Sequence, residues 1–322
     1  MQRTTIAKPE HGSIEWLKLR HRDETGWPVV SASDAAAVHG EHRFKTKYAL
    51  AAEKLLPEPP VTEQNRAMER GTRLEPVILE WVADELGEQI ATPELMYTMS
   101  SNGAVMVATL DGVIGDETSP DKVVEIKTYG KHFDADADLE GYGPLPAYWY
   151  WQGVHQATCA DVEEVVWGVF DASLDLHIYV QHVSSDEKGK HVERVADFCR
   201  HLAVGLILPE WEHTYEDLSR NARVNDKAVN LDQHQQLLVQ LMSVQAEKKG
   251  LTEREDELKA ELATLLDGAT AGTVGGATAV TWKQQSRSGF DQKRFASEHP
   301  ELYDEYKTSS TFRVLRFVKG NQ

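Results

Sequence analysis

The apolar positions of this chain change period several times, and each change predicts an element. Between Arg66 and Gly87, in RAMERGTRLEPVILEWVADELG, a stripe through Leu74, Ile78, Trp81 and Glu85 repeats at helical spacing, and Gly87 supplies a stop. Pro76 falls inside that pattern and predicts either a kink or a helix that begins close to Glu75. Shorter helices are expected at 13–22, after SASD (31–34) with Ser33 or Asp34 as cap, at 145–160 behind Pro146, and at 188–206. Elsewhere the period falls to two. Residues 104–114 (AVMVATLDGVI) and 122–128 (KVVEIKT) flank the turn-rich GDETSPD and predict a hairpin. EEVVWGVFD and DLHIYVQHV predict two further strands.

The pattern changes again after about residue 225. Residues 231–266 carry Leu237, Leu238, Leu241, Val244, Leu251, Leu258, Leu262 and Leu265, with Gly250 near the middle. They predict a helical hairpin or a short coiled-coil-like pair, an intramolecular pairing being favoured over an oligomer seam. The glycine-rich DGATAGTVGGAT follows as a linker. A last β-α-β unit is expected from ATAVTWK, DQKRFASEHPELYDEY and TFRVLRFV. The expected division is therefore 1–225, 226–268 and 269–322.

Composition narrows the function classes. With 34 Lys and Arg against 52 Asp and Glu, the net charge is −18, which argues against a protein that coats nucleic acid. It leaves room for a DNA enzyme with a local basic groove, and basic clusters do occur at Lys18-Arg20-Arg22, Arg43-Lys45-Lys47 and across 283–319. No run of about 18 apolar residues predicts a membrane span. MQRTTIAKPEHGS lacks the apolar core of a signal peptide. Cys159 and Cys199 have no metal-ligand spacing, so a reducing, cytoplasmic setting is expected.

Candidate chemistry concentrates in VVEIKTYGKH (123–132). Side chains alternate faces along a strand, so Glu125 and Lys127 point the same way, roughly 6–7 Å apart. Taken alone they read as an ion pair on a wet sheet. The hairpin, however, sets Asp111 beside the Glu125 strand, and Glu75 lies on the preceding helix. Converging carboxylates need a counter-charge, and a hard divalent cation such as Mg²⁺, held by oxygen ligands, is the natural one. Such an ion polarises a phosphate oxygen and activates water. Lys127 is placed to orient or help deprotonate that water, or to stabilise charge on the phosphate. The Ile126 carbonyl lies between the two side chains as an extra ligand.

This D–(x)n–E-x-K order resembles the PD-(D/E)xK nuclease superfamily, and within it the lambda-exonuclease or YqaJ-like phage recombinase exonucleases. EWLKLR (15–20), SASD (31–34), GTRLE (71–75) and YWYWQGVHQ (148–156) resemble further family segments in order and approximate spacing, across roughly 13–215. The resemblance implies an α/β (α+β) fold, a restriction-endonuclease-like core with a central mixed sheet flanked by helices. It implies Asp111, Glu125 and the Ile126 carbonyl as metal ligands, Glu75 supporting a second metal or its waters, Lys127 as catalytic lysine and Gln152 beside the site. Arg20 and Ser33 match positions that hold a DNA 5′-phosphate. The chain departs from the family pattern in HRDETGWP between those two residues, in Leu110 where Pro is usual, and in Val154 at the second Gln position. The implied activity is Mg²⁺-dependent hydrolysis of linear duplex DNA from 5′ to 3′, with Mn²⁺ able to substitute. It would act in the bacterial host cytoplasm for a single-strand annealing protein, with a homo-oligomer left open. Two readings stand beside it: an endonuclease of restriction or repair type, and a catalytically silent DNA-end-binding adaptor.

Overall fold

A computed structural model describes residues 2–61, 65–139, 141–221, 228–286, 289–307 and 312–317. The chain divides into two units, one of residues 1–222 with 312–322 and one of residues 223–311.

In chain order the first unit contains β1 (Gln2–Ala7), α1 (Ile14–Leu19), β2 (Val30–Ser31), a 3-10 turn (Ala32–Asp34), α2 (Ala35–His39), α3 (Lys47–Lys54), α4 (Arg66–Leu86), β3 (Ile90–Ala91), β4 (Leu95–Ser101), β5 (Ala104–Ala108), β6 (Gly112–Asp116), β7 (Ser119–Thr128), α5 (Ala147–Ala160), β8 (Glu164–Phe170), β9 (Leu176–His182), α6 (Ser185–Ala203) and α7 (Tyr215–Asn221). Its strands form two mixed sheets, ordered β1-β4-β5-β2 and β3-β6-β7-β8-β9. The parallel pairs are β2 with β5 and β7 with β8. The fold is thus mixed α/β, with helices against mixed sheets, as expected.

The alternation along β7 fixes the site's orientation. Val124 and Ile126 pack with Ile78, Leu79 and Val82 of α4. Val123 faces the other way, into the main core with Trp149, Val154 and Ala157 of α5. Each such buried aliphatic side chain contributes about 1.5–3 kcal/mol. Glu125 and Lys127 share the α5 face, because side chains two apart in a strand point alike. The sheet is sandwiched, so one charged pair sits on a face that is otherwise core.

The expected strand 104–114 is broken. Thr109–Asp111 link β5 in one sheet to β6 in the other, and Asp111 lies in the link rather than in a strand. Leu110 anchors the link, being almost fully buried. Gly112 opens β6 where the strand passes under α4; a Cβ there would sit 2.7 Å from Ile90 Cγ2 and 2.9 Å from Leu79 Cδ1. The expected pairing of 112–116 with β7 is present, with Gly112 opposite Val124.

α4 starts at its Asn65 cap and runs through Pro76 instead of starting at Glu75. Its buried stripe is Ile78, Leu79 and Val82, while Trp81 stays exposed. β1, β3 and β4 were not apparent from the pattern, because QRTTIA and LMYTMSS mix polar residues without clean alternation.

The second unit corrects two expectations. Residues 235–266 form one continuous helix, α8 (Gln235–Leu266), not a hairpin. A mid-helix glycine costs only about 1 kcal/mol, and the ion pair Lys249–Glu253 spans it while Lys259–Glu255 follows along the helix. The expected β-α-β unit is instead a hairpin of β10 (Ala271–Val274) and β11 (Ala277–Thr281), followed by α9 (Gln292–Glu298) and α10 (Pro300–Tyr306). Pro300 divides the helices because it has no N–H to continue α9. Residues 312–317, grouped with the first unit, form no strand. Arg313 N donates to Ser219 O at 2.8 Å and Leu315 N to Tyr215 Oη at 3.0 Å. Thr311 and Val318 of that expected strand lie outside the described residues.

Candidate active site

Asp111 and Glu125 meet because the β6–β7 register, extended by one residue, sets them opposite each other. Asp111 Oδ2 accepts the Ile126 N–H at 2.9 Å. Glu125 is only 3 % exposed. Its Oε1 accepts from Lys127 Nζ and from Gln152 Nε2, the latter at 2.5 Å, and its Oε2 accepts from Gln156 Nε2 at 2.5 Å. A carboxylate offers about four lone-pair sites. Three are used here, and one on Oε2 remains.

Gln156, which closes the YWYWQGVHQ segment, is a site residue to which the sequence gave no role. It is fully buried, and its Oε1 has no hydrogen-bond partner. Leaving such an acceptor unpaired costs about 1–3 kcal/mol. Turning the amide over would aim that oxygen at Glu125 instead, which is worse. The available signal was the four-residue spacing of Gln152 and Gln156, which stacks them on one face of α5.

Glu75 completes the acidic side from α4. Pro76 has no N–H to offer the Thr72 carbonyl, so that acceptor loses its helical donor beside the cleft that Thr72 and Glu75 line. The electrostatics follow from three carboxyls and one lysine. Burial, then Glu125 and Glu75, push Asp111 well above the usual carboxylate range. Burial and then Glu125 raise Glu75. Burial works to lower Lys127, but Glu125, Asp111 and Glu75 outweigh it and hold the ammonium above the ordinary lysine value.

The opposite wall comes from α1 and the turn before α2. Arg20 stacks over the Trp16 ring at 3.8 Å and donates through Nη2 to Ser31 Oγ at 2.9 Å and Ser33 Oγ at 2.5 Å. Ser31 caps the 3-10 turn, and Asp34 stands at the expected N-cap position of α2, without a side-chain cap bond there. The Asp34 carboxylate instead accepts from Ser31 N at 3.1 Å and Ser31 Oγ at 2.7 Å, and pairs with Lys54 Nζ at 2.8 Å. Burial opposes the charge on Asp34, yet Lys54, Lys45 and Arg20 hold its carboxyl far below the usual range.

Both walls line one cleft of about 290 Å³, which holds Arg20, Ser31, Ser33, Glu75, Asp111, Glu125 and Gln152. Lys8 and His11, from the segment after β1, also line it; nothing in the sequence pattern had marked them. Arg22, Lys45 and Lys47 of the basic clusters are engaged elsewhere. Arg22 donates to Gly26 O and Lys54 O, Lys45 pairs with Glu53, and Lys47 is buried over the Trp211 ring.

The donor set fits a hard divalent cation. An Asp111 carboxyl raised by burial and by Glu125 opposite it, beside a Glu125 that keeps a free lone pair, is what such a cation relieves. Among the described residues, the trio whose ligand atoms all lie within 4.8 Å is a different one, His132, Asp171 and His177. Glu75, Asp111 and Glu125 are more widely spread, which suits a cation held by Asp111 and Glu125 with Glu75 acting through water. Asp171 serves the local structure. Its Oδ1 accepts from Ser173 N and its Oδ2 from Phe133 N, which joins the β8–β9 turn to the loop after β7.

Behind α5 lies a chain of three neutral histidines. His155 Nε2 bonds the Val107 carbonyl at 3.1 Å, so it carries the proton. His155 Nδ1 then accepts from His191 Nε2 at 3.0 Å, and His191 Nδ1 accepts from His39 Nε2 at 2.9 Å. One tautomer satisfies all three rings.

Residues 15–163 match the family described as the YqaJ-like viral recombinase domain. No curated protein matches the chain. Among solved structures, LHK-Exo in complex with dAMP superposes with a TM-score of 0.46 at 20 % identity, covering 60 % of this chain and 93 % of that one. The alkaline exonuclease LHK-Exo from Laribacter hongkongensis gives 0.45 at 21 %, with coverage of 60 % and 93 %. A phage related exonuclease from Haemophilus somnus 129PT gives 0.43 at 13 %, with 55 % and 94 %. Among the described residues, no helix is long and apolar enough to cross a membrane. The family match spans the cleft residues from Trp16 and Arg20 through Glu75, Asp111 and Glu125 to Gln152 and Gln156, and it is over residues 15–163 that this chain is similar to the YqaJ-like viral recombinase domain.

Proposed function

We propose that this protein is a divalent-metal-dependent deoxyribonuclease that degrades linear duplex DNA from its ends, 5′ to 3′. One observation carries the reading. Asp111 and Glu125 line the same cleft as an arginine already seated on two serine hydroxyls, and Lys127 is bonded to Glu125 from the next position on its strand face.

Asp111, Glu125 and the Ile126 carbonyl would hold the cation, Mg²⁺ with Mn²⁺ able to substitute. When bound, it polarises a phosphodiester oxygen and lowers the pKa of a water. The protein's own groups do the rest. Gln152 and Gln156 clamp Glu125, so its free lone pair faces a fixed direction. Lys127 keeps its proton and stabilises negative charge growing on the phosphate. Glu75, with its raised pKa, accepts a proton from the attacking water. Arg20, Ser33 and also Ser31 bind the terminal 5′-phosphate; the guanidinium is held flat by Trp16 and presents its fork to the anion. An anion seat in so small a cleft favours an end over an internal phosphate.

The deciding experiment is digestion in Mg²⁺ of linear duplexes with 5′-phosphate, 5′-hydroxyl or blocked 5′ ends, beside a closed circle. The expected order is phosphate first, hydroxyl slower, and no product from the blocked end or the circle. Cutting of the circle would replace the exonuclease reading with an endonuclease. Tight binding to ends with no product in Mg²⁺ or Mn²⁺ would leave a DNA-end-binding adaptor. Arg20→Ala should bring the phosphate and hydroxyl rates together, and an unchanged preference would remove Arg20 from the end pocket.

A further inference from the structure

We infer that α8 is an antiparallel seam through which two copies of this chain pair. The helix has 32 residues and none of them is buried. Leu237, Leu241, Val244, Leu251, Leu258, Leu262 and Leu265 follow one another in steps of three and four, with Lys248 and Glu255 in the two remaining places. A repeat averaging 3.5 residues keeps one stripe facing a partner helix. Leu251 is 65 % exposed and Leu265 82 %, so nothing among the described residues covers that stripe. Gly250 falls on the far side of the helix from it, which is why the seam tolerates a glycine there.

Charge selects the occupant and its direction. A parallel pair in register would stack Lys248 on Lys248 and Glu255 on Glu255, and like charges in the seam disfavour it. An antiparallel pair that sets Leu241 against Leu258 and Leu237 against Leu262 has no such clash. In that register Glu247 of each helix flanks Arg254 of the other, twice by symmetry. A shift of one heptad in either direction loses this: one way Glu247 meets Glu261 and Arg254 meets Arg254, and the other way Glu247 meets Glu247. The present partner of Arg254 is Glu257 on the same helix at 2.9 Å, an exposed pair that exchanges at little cost. The seam thus complements itself, and a second copy of this chain is the partner whose sequence matches it.

Sedimentation equilibrium of the full-length chain and its variants tests this. The chain should associate as a dimer. Glu247→Arg or Arg254→Glu alone should raise the dissociation constant roughly tenfold or more, and the double reversal should return it to within about threefold of the parent. Leu251→Lys should give a monomer. All three positions are exposed, so circular dichroism and the thermal transition of the chain should be unchanged, which separates lost pairing from lost folding. A monomeric parent overturns the inference, and so does an oligomer whose mass ignores Leu251→Lys. A double reversal no better than either single one overturns the antiparallel register.

Discussion

The two walls of the cleft each hold an aspartate, half-buried Asp111 and buried Asp34, and the two are perturbed in opposite directions. On the strand side, Asp111 is pushed far up by burial and by the neighbouring Glu125 and Glu75. On the helix side, Asp34 is also pushed up by burial but is pulled far down by Lys54, Lys45 and Arg20. Burial alone raises both. The neighbours decide the sign, and so they decide what each wall can accept. The Asp34 wall carries its own cations and is complete as it stands. The Asp111 wall has one lysine among three carboxyls and is short of positive charge. Under the proposed function, the divalent cation falls to the second wall and the DNA phosphate to Arg20 on the first.

The largest expected effect follows directly. Glu125→Ala should lower DNA hydrolysis by roughly a thousandfold or more, as should EDTA, while binding to DNA ends and the thermal transition persist. Activity that survives either treatment would mean the acidic wall is not where the metal acts. Asp34→Ala should do the reverse and act on stability first. It leaves Lys54 and Arg20 without their shared anion, and breaking a buried pair from one side costs about 3–5 kcal/mol. Urea denaturation reads that loss, and a change below about 1 kcal/mol would make the two walls alike. Gln156→Met comes next. It removes the unpaired oxygen together with the clamp on Glu125, so stability should stay within about 1 kcal/mol while turnover falls roughly tenfold. Equal losses of stability and turnover would make Gln156 a packing residue only.

The smallest effect separates the cleft from the core behind it. Burial lowers His155 to about 4 and His191 well below 6.5. As pH falls below 6.5 the unfolded chain takes up protons that these native rings refuse, so stability is lost on that side. The slope is up to about 1.4 kcal/mol per pH unit for each of them. Urea curves between pH 7 and 5 should show it, and His191→Leu should flatten it. A slope that the substitution leaves unchanged would trace the acid sensitivity to other groups.

Some of this was open to inspection in the chain itself. Glu125 and Lys127 share a face because a strand's period is two, whatever surrounds it. Gln152 and Gln156 share a face because a helix's period is 3.6, and the second, though it closes the YWYWQGVHQ segment, had no role assigned to it from the sequence. The α8 seam is likewise a period, read from the leucine steps alone; that the helix does not fold back on itself came from the structure. Asp111 was found for the right partner and placed in the wrong element, since 104–114 reads as one apolar run although it serves two sheets.

What the sequence determined by itself, then, are the relations within single elements: which side chains align, where α4 ends, and that a strand carries an acid and a lysine together. Those follow from backbone periods and caps, which act over a few residues. Only the tertiary structure decided that Arg20, Ser31, Glu75, Asp111 and Gln152 border one small space with Gln156 buried behind it, and that one aspartate is raised while another is lowered. Those outcomes depend on charges and dipoles brought within a few ångströms by chain segments far apart in sequence, from Arg20 on α1 to Gln156 on α5. Coulomb interaction is set by that distance in space and by the dielectric of the surroundings, and neither is written in the local pattern.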